Sequence, residues 1–177
     1  MLESLRRSLG IRMSRWHFRR LHNDIISFTE ALRTAQRALL ILPLTPTAHS
    51  PASVIELVRA RYPENHLTIV TEEHDTGASV LLPHSRVVRV NPFHVDWLFR
   101  PSREIMQKVA GSSYDIAIDL NLDSLLPSAY ICRGSNARVR VGSAREGAEH
   151  FYNFLMQPDT SKSGAVYDRL AACLKMF

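Results

Sequence analysis

Apolar residues recur at helical spacing from Leu2 to Gln36, first as Leu2, Leu5, Leu9, Met13 and Trp16, then as Phe18, Leu21, Ile25, Phe28, Leu32 and Ala35. The phase changes near Trp16, so the stretch predicts one or two amphipathic helices. Ala38 to Leu42 (ALLIL) is an unbroken apolar run of strand length, and Pro43 to Pro51 is a proline-rich junction. Ser50 can cap and Pro51 can begin the next helix, which runs through Val54, Leu57 and Val58 to Tyr62, where Pro63 ends it. His66 to Thr71 reads as a second strand, Gly77 to Pro83 as a short helix or turn, and Arg86 to Val90 as a third strand. A helix over Pro101 to Val109, stopped by Gly111, precedes a fourth strand at Tyr114 to Leu120. Its apolar run with acids at the ends suits a central, doubly covered position. Asp123 to Ile131 reads as helix despite Pro127, with Gly134 ending it, and Ala137 to Val141 as a fifth strand. Arg145 to Gln157 is polar, aromatic and partly loop. A closing helix over Ala165 to Met176 carries Val166, Leu170, Ala171 and Leu174 on one face. Strand and helix alternate, which predicts an α/β fold with a parallel, doubly wound, Rossmann-like sheet.

The chain of 177 residues is 45% hydrophobic and 22% charged, the composition of one globular domain with a real core. Its net charge of +5 is uneven. Residues 1 to 40 hold eight Arg against Glu3, Asp24 and Glu30, while the remainder balances fourteen of each sign. The sequence therefore divides into a basic amphipathic extension, residues 1–37, and a neutral domain, residues 38–177. Cys132 and Cys173 lie far apart in apolar helical contexts and read as reduced thiols. No apolar run approaches the ~20 residues that span a bilayer, and arginines interrupt the amino terminus where a signal peptide would be apolar. A cytoplasmic location is expected.

Arg6, Arg7, Arg12, Arg15, Arg19 and Arg20 occur without an intervening acid, and Trp16 and Phe18 lie among them. Such a helix can lie on an anionic membrane, with arginines at the headgroups and rings at the interface. It can equally pack on a partner subunit or present a solvated face. Nucleic acid is disfavoured, because no basic stripe or stacking platform continues the footprint.

At the first strand-to-helix junction the sequence excludes a dinucleotide fingerprint and a Walker loop, since no glycine occurs between Gly10 and Gly77. The acids Glu72, Glu73 and Asp75 after the second strand then read as a solvated loop. Eight scattered histidines predict no structural metal, and no cofactor is expected. His49 lies in the junction beside Thr45, Thr47 and Ser50, where it could accept a proton or have no task at all. Asp119, Asn121 and Asp123 sit at the carboxyl end of the fourth strand on the same rim, Asp123 with the alternative of capping a helix. Arg145, Glu146, Glu149, His150, Tyr152 and Asn153 form a polar, aromatic cluster suited to sugars or phosphates, or to an ordinary surface loop.

The order of segments from Ala38 onward resembles the amino-terminal half of the ADP-heptose:lipopolysaccharide heptosyltransferases, glycosyltransferase family 9. The pieces are ALLILPL, ARYPENHLTIVT, RVVRV, YDIAIDLNLDSLLPSAYICRGSNARVRVG, REGAEHFYN and YDRLAACL. The family typically shows RYP followed by ITxLT, then YDxxIDLQ, then RVGF followed by FYN. The resemblance implies the acceptor-side half of a two-domain GT-B fold, with the nucleotide sugar held by a second half that would begin where this sequence stops. In the family a Ser-x-Gly-Asp run at the junction supplies the base; here the stretch is TPTAHS, Thr45 to Ser50. A transferase needs both substrates in reacting geometry. The expected role is therefore non-catalytic, a binding or assembly subunit peripheral to the inner face of a bacterial cytoplasmic membrane. The alternative is the acceptor half of a split or truncated heptosyltransferase, with His49 as substitute base and a separate donor-domain chain as partner.

Overall fold

The computed structural model describes residues 2–19, 27–45, 50–75, 77, 82–123, 126–157 and 166–176. Among them six parallel strands form one sheet: β1 (Ala38–Ile41), β2 (Leu67–Glu72), β3 (Arg86–Val90), β4 (Ile116–Asp119), β5 (Val139–Ser143) and β6 (Phe154–Met156). The helices are α1 (Leu2–Phe18), α2 (Phe28–Thr34), α3 (Ala52–Arg61), α4 (Arg103–Ala110), α5 (Leu126–Gly134) and α6 (Val166–Lys175). The strand order β3-β2-β1-β4-β5-β6 is that of a doubly wound, Rossmann-like sheet.

β1 is central, with Ala38 opposite Leu67 of β2 and Ile116 of β4. Its residues alternate between two cores, as strand geometry requires. Ala38 and Leu40 join Ile116, Ile118 and Leu120 beneath α2, α3 and α6. Leu39 and Ile41 face Ala117, Ile105, Val109, Ile131 and Phe18 beneath α4, α5 and α1. Local chemistry fixes the joints between elements. The Asp115 carboxylate accepts from the backbone N–H groups of Gln36 and Arg37 at 2.8 and 3.0 Å and so sets the start of β1. Ser102 caps α4 by accepting from the Ile105 N–H at 3.4 Å, and Gly111 follows its last residue. Pro127 sits in the first turn of α5, where its missing N–H costs nothing.

Two features add to the sequence pattern. Arg145 to Gln157 is partly loop, as expected, and also holds a 3-10 turn at Ala148–His150 and the edge strand β6, whose three residues are too few to show a period. The stripe Leu2, Leu5, Leu9, Met13 and Trp16 of α1 points outward, and the opposite face, with Gly10, Ser14 and Phe18, is buried. Of the second apolar series, Phe18 ends α1 and Phe28 and Leu32 lie in α2, while residues 20–26 lie outside the described set, as does most of the short helix or turn expected over Gly77 to Pro83.

Candidate functional site

The carboxyl ends of β1, β4 and β5 meet at the switch point of the sheet, the place where doubly wound folds bind ligands. Asp119 ends β4 and is buried. Its Oδ2 accepts from the Tyr152 hydroxyl at 2.6 Å, and its Oδ1 accepts from the Asn121 backbone N–H and Nδ2 at 2.9 and 2.8 Å. Asn121 bridges onward to β1: Nδ2 donates to the Leu42 carbonyl at 3.0 Å, and Oδ1 accepts from the Leu44 N–H at 2.8 Å. Burial raises the Asp119 pKa, against the bonds from Tyr152, Asn121 and Ser128 that favour the charged form. Burial likewise pushes the Tyr152 phenol well up, helped by the neighbouring Asp119.

The next shell locks the segment after β5. Arg145 donates from Nη1 to the Leu122 carbonyl at 2.8 Å and from Nη2 to the Asn121 carbonyl at 3.0 Å. Asn153 accepts from the Arg140 N–H and donates to the Arg138 carbonyl, both at 2.7 Å, which aligns β6 on β5. The buried Arg140 guanidinium donates to the carbonyls of Phe151 and Ala137 at 3.1 and 2.5 Å. Burial, with Arg133 nearby, lowers it to about 10. Gly142 of β5 lies directly under the Tyr152 ring, and a Cβ there would come within 2.5 Å of it. The structure thus brings Asp119, Asn121, Tyr152 and Arg145 together, with their polar atoms bonded to one another and to backbone, while the Asn153 side chain is bonded along β5 to Arg138 and Arg140.

The other predicted rim residues lie apart from this cluster. His150 is exposed and sits 3.4 Å from the Glu149 carboxylate. Thr45 is exposed, and exposed Ser50 accepts from the Ala52 N–H at 3.4 Å at the start of α3. His49 and Thr47 lie outside the described residues. Among the described residues no three His, Cys, Asp or Glu side chains converge as metal ligands would.

The second candidate surface is α1. Arg6 donates from Nε to the Trp97 carbonyl at 2.8 Å, and Arg6 and Arg7 stand over the Phe99 ring at 5.1 and 5.9 Å. At Gly10 the helix touches the chain, for a Cβ there would collide with the Leu98 carbonyl oxygen. Phe18 does not belong to the exposed surface assigned from the sequence: it is 5% exposed and wedged against Tyr130 and Phe151. Arg15 lies against Gly147, while Arg12 and Arg19 are exposed. Arg20 is outside the described residues. With this face glued down, Leu2 (76% exposed) through Trp16 (73%) form a solvent-facing apolar stripe. At 3.6 residues per turn Arg12 and Arg19 border the stripe on one side and Arg6 and His17 on the other. Trp97 (62%) and Phe93 (94%), which sequence reading missed, are exposed on the loop that holds the amino-terminal half of α1. Their signal is weak, because lone aromatics in a loop resemble core residues in a sequence.

Among the described residues, three recesses of several hundred Å³ border α1. The largest, about 670 Å³, is lined by His17, Phe18, Met106, Tyr130 and the ion-paired Asp96 and Arg100, and no strand end borders it. One of about 550 Å³ lies between α1 and the loop after β5, and one of about 380 Å³ lies beyond Arg15 toward His150. No protein-family model matches the chain, and no curated protein is significantly similar to it. No helix among the described residues is long and apolar enough to cross a membrane.

Proposed function

We propose that the chain is a non-catalytic, membrane-peripheral binding or assembly subunit built on a glycosyltransferase-like domain. The observation that carries this reading is the direction of α1. A helix whose leucines and tryptophan face solvent, while a glycine, a serine and one phenylalanine hold it down, has its apolar face free for something outside the domain. Arg12 and Arg19 along one border, with Arg6 on the other, suit an anionic bilayer, where each charge near the surface contributes about 1 kcal/mol. The exposed Trp97 beside Arg6 adds an interfacial ring.

The glycosyltransferase-like part of the reading rests on the order of the sequence motifs and on the strand order, which agrees with it. The non-catalytic part is supported by the rim, where Asp119 is buried, its pKa raised, and its oxygens bonded to Tyr152 and Asn121. A general base must reach the proton it removes. The inner face of a bacterial cytoplasmic membrane is the matching location.

Flotation of the full chain with vesicles tests this. Binding to phosphatidylglycerol-rich vesicles, weaker on phosphatidylcholine and falling with salt, is expected. The variant Leu5→Ser/Leu9→Ser/Trp16→Ser keeps every charge and should lose binding by about tenfold or more, since each residue forfeits apolar burial. Equal flotation of variant and parent, or none with either vesicle, overturns the proposal. Recovery from cells with a donor-type glycosyltransferase chain would favour the split-enzyme reading instead.

A further inference from the structure

We infer that the cleft between α1 and the loop after β5 is a phosphate-binding site, with Arg12 and Arg15 as its principal ligands and Arg145 as its third cation. The cleft holds about 550 Å³ and is lined by Ser8, Ile11, Arg12, Arg15, Arg145 and Glu146. Three arginines and one glutamate line it. None of the three forms an ion pair with a described acid. Arg145 spends its donors on the carbonyls of Asn121 and Leu122, which fix its position without cancelling its charge. Arg15 Nε is buried with no hydrogen-bond partner among the described residues.

The backbone is shaped around this arrangement. Gly147 holds φ at 77°, and a Cβ on it would collide with the Arg15 guanidinium. A glycine in the left-handed region therefore admits the cation between helix and loop. Arginines lining one cleft repel each other, and a dianion bound there would lessen that repulsion while accepting paired N–H bonds from planar forks. Ser8 adds a small polar residue to the lining, and Ile11 an apolar one for whatever carries the phosphate. The place also fits: Arg145 follows β5 and holds the segment after β4, at the strand ends where doubly wound sheets receive ligands. The ligand class is a phosphate ester or diphosphate, from either a soluble metabolite or a lipid headgroup.

Calorimetric titration of the full chain with inorganic pyrophosphate and with monomeric dihexanoyl phosphatidate tests the site. Binding of at least one probe is expected, and Arg12→Gln or Arg15→Gln should each weaken it by about tenfold, the loss of a charge-assisted contact. Arg12 is exposed, so its variant stays readable if replacement of Arg15 disturbs the helix seat. Pyrophosphate binding more tightly assigns a soluble ligand; phosphatidate binding more tightly assigns a headgroup. The Leu5→Ser/Leu9→Ser/Trp16→Ser variant should keep pyrophosphate affinity, which separates this site from the membrane reading. Absence of binding by both probes, or binding unchanged in both arginine variants, overturns the inference.

Discussion

Asp119 has its carboxylate oxygens turned into protein, one toward a phenol and one toward an amide. Because burial raises its folded pKa above the ordinary value, the native state holds this proton more tightly than the unfolded chain. The group therefore contributes stability below the unfolded pKa, and that contribution is lost as pH rises through the folded one. In Asp119→Asn this fall should disappear, so the stability difference between parent and variant, followed by urea unfolding from acid to neutral pH, should change with that sign. Tyr152→Phe removes the hydroxyl that reaches Oδ2 and should cost about 1–3 kcal/mol by the same measurement, the range for an orphaned buried acceptor. A sequence marks Asp119, Asn121 and Tyr152 as polar groups near strand ends and so as groups that need partners. Whether the partner is a ligand or another side chain is decided by residues thirty positions away, which a single chain does not reveal.

At the scale of the element, α1 shows what periodicity conveys and what it omits. The spacing of Leu2, Leu5, Leu9, Met13 and Trp16 was legible, as was the arginine border. The seat was not, because Gly10 and Ser14 carry no apolar signal; Ser14 satisfies its hydroxyl on the Gly10 carbonyl at 2.7 Å, inside its own helix. Gly10→Val should push the helix off the Leu98 carbonyl. Limited proteolysis is then expected to cut within residues 2–19 at least about tenfold faster, as local opening becomes more populated, while circular dichroism still reports the sheet. Equal cleavage would mean that the helix is not held at this point. β6 was illegible for a different reason. Its place comes from Asn153 bonding across to Arg138 and Arg140, a tertiary instruction with no local pattern.

Over the whole molecule, the sheet was the most legible part, since strands buried on both faces read as apolar runs wherever they stand. The outer layer was less so, because α1 closes a core that the domain alone leaves open. Phe18 lies among Tyr130, Phe151 and Arg133. Removing residues 1–19 should therefore lower the urea midpoint and produce self-association on gel filtration, by uncovering this aromatic cluster. An unchanged midpoint and elution volume would show that the domain does not need its helix. Point changes on the exposed stripe are for that reason the cleaner probe of what α1 contacts.

The register of β1 has a consequence in time. Ile41 pairs with Val70 on one side and with Asp119 on the other, so the central strand leaves the ribosome long before its second neighbour exists. At about 5–20 residues per second, it waits on the order of several seconds with one edge unpaired. During that interval α1 is already synthesised, but α5, on which Phe18 comes to rest, is not. A nascent chain in this state would carry α1 complete while the surface that seats Phe18 has still to form.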